Sequence, residues 1–123
     1  MRRWWLTVAA LGGAASLVLG AMGRHWISDV EGGRENWLYA ERYLQFHVLA
    51  LIALALLPLS RSRWLRGASW AFLVGTIVFC GTLYLRAAGQ GGALSRLTPL
   101  GGTVLIAAWL LFAVGAWRLP ADR

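Results

Sequence analysis

The chain has no lysine, one cysteine, three prolines and five acidic residues among 123. Each scarcity removes a class of explanation. One cysteine, Cys80, leaves no internal disulfide to staple a small secreted fold. Charged residues make up 14%, against about 25% in an ordinary soluble domain, while hydrophobic residues reach 59%. A chain of this size cannot enclose so much apolar surface and still present a wetted exterior. Walker loops, HExxH and CxxC are all missing, and the glycine-rich Gly89 to Gly92 has no flanking strand to make a phosphate cradle.

The charges are confined as well as few. Trp4 to Gly23, Tyr43 to Ser60, Gly67 to Leu85 and Leu97 to Trp117 contain none, over 20, 18, 19 and 21 residues. At about 1.5 Å per helical residue each can cross a hydrocarbon layer of roughly 30 Å. Helix is the default because backbone polar groups in lipid must pair within their own segment. Runs such as Val48 to Leu57 do not alternate as a barrel strand would. The expectation is all-α: a single membrane domain over 1–123, built as an integral four-transmembrane-helix bundle. Its spans are expected at about 4–23, 43–60, 67–85 and 97–117, with a loop over 24–42. Arg2, Arg3 and the small pair Gly20-Ala21 give the first run some look of a secretion signal. Its apolar stretch is longer than the roughly 7–15 residues of a signal core, so it is read as a retained helix.

Arginines set the orientation. The amino tail (Arg2, Arg3), the middle loop (Arg61, Arg63, Arg66) and the carboxyl tail (Arg118, Arg123) hold seven of the twelve. Arg24, Arg34, Arg42, Arg86 and Arg96 lie on the other side, with Asp29, Glu31, Glu35 and Glu41. The positive-inside rule then puts both termini and the middle loop in the cytoplasm, an N-in/C-in chain. The same distribution explains the net charge of +7 without nucleic acid; anionic headgroups are the expected partners of the Arg61, Arg63, Arg66 cluster. Trp4, Trp5, Trp64, Trp70 and Trp117 fall near the inner interface, and Trp26 and Trp37 near the outer. Trp109 falls inside the fourth span and fits neither belt.

Local signals mark the ends of helices. Pro58 stops the second span, and Gly89, Gly91 and Gly92 stop the third. Thr98-Pro99 reads as a hydroxyl N-cap followed by proline at the first helical position. Ser28 with Glu31 has capping-box spacing, and the segment from about Arg34 reads as one helix with the second span. Gly12, Ser16 and Gly20, and likewise Gly67, Ala71 and Gly75, repeat every fourth residue. Small residues so spaced let helix backbones approach closely in lipid.

With this topology His25, Tyr43, His47, Cys80, Tyr84 and Thr98 share one depth near the outer face, a candidate polar cluster drawn from all four spans. Glu35, Tyr39, Tyr43 and His47 form a stripe at every fourth position. A histidine at membrane depth is a functional candidate: His47, with His25, can be a ligand for haem or a metal, a proton carrier, or a hydrogen-bond donor to a quinone. The structural alternative is an imidazole that ties helices together. Two histidines fall short of an ordinary four-ligand zinc site. Cys80 reads as a packing residue. No catalytic constellation emerges, so neither an enzyme nor a resident cofactor is expected. No acid falls within any charge-free run, which argues against a proton-coupled transporter.

Four segments together resemble one family. They are Gly20-Ala21-Met22-Gly23-Arg24-His25, then Arg42 to His47 running into Val48-Leu49-Ala50-Leu51, then Phe79 to Leu85, then Thr98-Pro99-Leu100-Gly101-Gly102. In order and spacing they are similar to the YgdD-like family. Met22, Arg24 and Thr82 depart from that family's usual residues. The resemblance implies a four-helix protein of bacterial inner membranes with relatives in animal mitochondria, and implies no activity. Function is therefore expected to lie in association, as a homo-oligomer or an accessory subunit of a larger membrane complex, in contact with membrane lipids. A histidine-based haem or quinone module is the alternative, and a small transporter a more distant one.

Overall fold

The computed structural model describes residues 1–27 and 33–121. Ser28, Asp29, Glu31, Asp122 and Arg123 lie outside the described residues, and with them the expected Ser28–Glu31 capping box. Four long helices carry the chain: α1 Arg2–Trp26, α2 Gly33–Ala55, α3 Arg63–Ala87 and α4 Thr98–Trp117. Short 3-10 turns occupy Leu59–Arg61 and Gly92–Leu97. Among the described residues three stretches are long and apolar enough to cross a membrane: α1, α3 and Gly92–Trp117. Helix α2 starts at Gly33, so its first half carries Arg34, Glu35, Glu41 and Arg42.

The end of α2 differs from the sequence expectation. The helix stops at Ala55 rather than running to Ser60. Leu57 N–H bonds back only to Leu54 O, three residues away at 3.0 Å. Proline disfavours α geometry in the residue before it, so Pro58 tightens the turn in advance of its own position. The turn is then held from α3: Arg66 Nη1 donates to Leu59 O and Ser60 O, both at 3.0 Å. Ser62 Oγ accepts from Leu65 N–H at 3.2 Å and caps α3. Arg63 and Arg118 sit over the Trp64 ring at 5.6 and 5.3 Å, joining this turn to the end of α4.

Neighbouring helices run antiparallel. Reading along α3 from Leu65 to Thr82, the partners step back along α4 from Gly115 to Thr98 without a slip. Leu65 lies on Gly115, Leu105 on Gly75, Phe79 on Gly101, and Thr82 bonds Thr98. Between α1 and α2, Gly12 meets Val48, Gly20 meets Glu41 and Gly23 meets Trp37. Between α2 and α3 the ring pairs Trp37–Tyr84, Tyr43–Phe79 and His47–Phe72 fix the register. Outside these pairings α1 touches α3 through Trp5 on Trp70, at 5.0 Å between centroids.

Helix α3 is therefore central and more buried than α1 or the α4 stretch. Leu54, Leu65, Ala68, Phe72, Leu105 and Ala108 form the middle of the core. Leu11, Leu17, Val18, Ile106, Leu110 and Trp117 face outward. That is the expected exterior of a protein whose solvent is lipid, where close backbone packing replaces the hydrophobic effect between helices.

The α3–α4 connection corrects a second expectation. Thr98 is not the N-cap of α4: Leu97 holds that position and makes no side-chain cap bond. The 3-10 turn Gly92–Leu97 runs directly into the helix, and Thr98 already has helical backbone angles. Its hydroxyl turns instead to Thr82. Gly89, at φ +78°, supplies the left-handed residue after the end of α3.

Candidate functional site

Two constructions stand out, one on each side of α2. The first is centred on His47, which is 2% exposed. Its Nδ1 lies 2.7 Å from Tyr43 O in the preceding turn, and its Nε2 lies 3.1 Å from Trp109 Nε1 on α4. An indole nitrogen can only donate, so Nε2 accepts and the ring proton sits on Nδ1, donating to the carbonyl. The imidazole is thus a neutral tautomer with both nitrogens in use. Phe46, Phe72 and Trp109 have centroids within 5.2, 5.6 and 5.9 Å of the ring.

Beside this node, between α2 and α4, lies a cleft of about 450 Å³. Tyr39, Tyr43, Phe46, Phe79, Thr103 and Trp109 line it with His47. Tyr39 and Tyr43 hydroxyls are 3.4 Å apart. Such a pair has two protons and needs one for its own bond, so one O–H stays free to donate to another group. Thr103 is already committed, donating to Pro99 O at 2.9 Å.

The second construction is a groove of about 600 Å³ between α1 and α2, at the end away from the termini. Leu17, Gly20, Ala21 and Gly23 supply the α1 wall, and Trp37, Leu38 and Glu41 the α2 wall. Arg24, His25 and Arg34 lie at its rim. The packing depends on Gly23, because the Trp37 ring occupies the place a Cβ there would take. Trp37 Nε1 donates to Leu19 O at 2.7 Å, and its ring meets Tyr84 edge-on at 4.5 Å. Glu41 lies against Gly20, with both carboxylate oxygens within 2.9 Å of where a Cβ would stand. Its Oε1 and the Tyr84 hydroxyl are buried atoms with no hydrogen-bond partner among the described residues.

The six residues placed at one depth by the sequence are therefore distributed. Tyr43 packs on the cluster that holds Cys80 and Tyr84 under Trp37. His47 lies one turn further along α2, towards α4. His25 is exposed and lines the other groove, so the two histidines serve different clefts. Thr98 pairs with Thr82, whose own hydroxyl proton goes to Val78 O at 2.7 Å. Among the described residues no group of three metal-ligating side chains forms. Gly12 and Gly20 face α2, and Gly67 and Gly75 face α4. Ser16 is buried but bonds within its own helix, to Gly13 O at 2.7 Å.

Four participants were missed by sequence reasoning. Trp109 carried a signal, since it is the one tryptophan outside both interface belts. Gly101 and Gly115 sit in no strict four-residue repeat. Glu41 precedes the second charge-free run, yet its carboxylate reaches the level of Gly20, inside the first. Counting charges along each run gives no warning of that, because depth follows from how neighbouring helices pair.

These motifs can be set beside known sequences. A family model described as "Protein of unknown function (DUF423)" matches residues 19–102. The chain belongs to this family. It is 37% identical over 120 residues to the "UPF0382 inner membrane protein YgdD" of Escherichia coli K12, covering 95% of this chain and 92% of that one. It is 31% identical to a "UPF0382 membrane protein" of Haemophilus influenzae, over 96% of this chain and 97% of the relative. A Staphylococcus epidermidis protein of the same description is 29% identical over 93% of this chain. No solved structure matches. With these relatives and its apolar helices, this DUF423 member is a multi-pass protein of the bacterial inner membrane.

Proposed function

We propose that the protein crosses the membrane four times, with both termini in the cytoplasm, and works by association, as a homo-oligomer or as an accessory subunit of a larger membrane complex. One observation carries the association reading. On the half of α1 nearest the termini, Thr7, Ala10 and Ala14 are exposed and form a lipid-facing stripe. Among the described residues α1 packs broadly only on α2, and this stripe lies exposed. Small side chains at such spacing favour close approach of another helix. The glycine stripes marked in the sequence are taken up by contacts within the chain, which moves the reading to this third stripe. No catalytic step and no resident cofactor belong to it.

The test is the mass of the particle in mild detergent, for the natural chain and for Ala10→Leu with Ala14→Leu. The reading expects a species well above the 13.5 kDa chain that falls towards it in the variant. A partnerless monomer in both would overturn it. Topology has its own test: a cysteine at Arg63 should resist a membrane-impermeant thiol reagent on intact cells, and one at Arg96 should react.

A second reading rests on the cleft beside His47. The free tyrosine proton can donate to a carbonyl on a flat apolar ring, the chemistry of a quinone. Haem is less well served, because His47 Nε2 would have to give up Trp109. Extracting the purified protein with organic solvent and recording its absorption decides this; a sample with neither quinone nor haem bands removes the reading.

A further inference from the structure

The α1–α2 groove combines features that the association reading does not use. Its wall is apolar and open to lipid, with Leu17, Ala21 and Leu38 all exposed. Its rim is basic: Arg24 ends α1 and Arg34 begins α2. Its inner part is acidic, through Glu41. Among the described residues two guanidinium groups and one carboxylate line the groove, one positive charge in excess. Asp29 and Glu31, in the connection between the helices, lie outside the described residues.

We infer that this groove seats one monoanionic, hydroxyl-bearing phospholipid, of the phosphatidylglycerol class, in the leaflet opposite the termini. The occupant follows from charge and from hydrogen-bond accounting. A phosphodiester is an acceptor-only anion, and paired guanidinium groups are its strongest side-chain partners. Glu41 lines the groove with an acceptor-only carboxylate, whose Oε1 has no partner among the described residues, so it suits a donor. The glycerol headgroup provides hydroxyl donors beside the phosphate; a phosphocholine headgroup provides neither a net charge nor a donor. The acyl chains then continue along Leu17, Ala21 and Leu38, in lipid where they already belong. The site is distinct from the Thr7, Ala10, Ala14 stripe and stands or falls separately from the association reading.

The test titrates the purified protein in mild detergent with phosphatidylglycerol or phosphatidylcholine and weighs the intact species. The inference expects one phosphatidylglycerol retained saturably and phosphatidylcholine not retained. Arg24→Gln with Arg34→Gln should weaken that retention by about tenfold or more. Arg24→Lys with Arg34→Lys should restore much of it, and Arg61→Gln with Arg63→Gln, at the other end, should leave it intact. Equal retention of both lipids by the natural chain would overturn the inference. So would unchanged retention by the glutamine pair, or displacement of the lipid by equimolar inorganic phosphate, which would mark a simple anion site. If the glutamine pair does not yield a folded species, Ala21→Trp keeps every charge and blocks the exposed wall. Its expected result is the same loss, and binding as tight as the natural chain's would be fatal.

Discussion

Trp109 Nε1 donates to His47 Nε2 across 3.1 Å, and this bond joins α4 to α2. It also fixes the imidazole tautomer, because the Nδ1 proton is left to the Tyr43 carbonyl. Substituting Trp109→Phe and His47→Phe, singly and together, should reveal their coupling. Inter-helix hydrogen bonds in lipid contribute on average about 0.6 kcal/mol, at most roughly 1.7. A cycle from thermal unfolding in detergent should give a value in that range; strictly additive losses would show that the pair contributes packing alone.

The α3–α4 crossing at Gly101 is the tightest on backbone. A Cβ there would lie 2.6 Å from Phe79 N, and a helix backbone cannot bend away as a side chain can. Gly101→Ala should therefore destabilise by about 1–3 kcal/mol, although alanine is the better helix former. Gly67→Ala, whose Cβ would rest 3.7 Å from Leu111 Cδ1, should be neutral or slightly stabilising. Melting curves of the two variants side by side test the contrast.

Gly23 and Trp37 make a further pair with a definite outcome. The indole lies where a Cβ would be, so Gly23→Ala must push Trp37 off Leu19 O and off the Tyr84 ring. The expected loss is about 1–3 kcal/mol, with a shift in tryptophan emission as the indole changes surroundings. An unchanged spectrum and melting point would contradict the packing described for this end of the molecule.

Thr82 and Thr98 close the α3–α4 seam at the same end. Thr82 gives its proton to Val78 O, so the bond between the two runs from Thr98 to Thr82. Thr98→Val removes the donor and should cost about 0.6 kcal/mol. Thr82→Val should cost about the same, and the double variant little more than either alone. Unfolding of the three variants by heat measures it.

Much of this architecture was legible in the sequence. Helical class and membrane location followed from the charge-free runs, and the stop at Gly89 from backbone chemistry, while Pro58 ended α2 earlier than its own position. The polar cluster was read from position along each span. Counting along a span tells how far His25 and His47 sit from the bilayer centre, and says nothing of which way each faces. His25 turned to the α1–α2 groove and His47 to α4 because of contacts such as Gly23 with Trp37 and Phe72 with Trp109. Such contacts depend on which helices are neighbours. The same limit hid Glu41. Thr98 was misread as a cap because a cap signal is local, whereas its partner lies 16 residues away on another helix.

The unbroken step between α3 and α4 has a consequence for how chains of this kind can change in length. One residue added within either helix turns everything beyond it by about 100° and shifts it by about 1.5 Å. Every notch made by Gly75, Gly101 and Gly115 would then present itself to the wrong neighbour at once. Insertions and deletions should accordingly be tolerated in the connection between Gly89 and Leu97 and at the two tails, while the paired stretch keeps a fixed count: a ruler cut into the protein by three absent side chains.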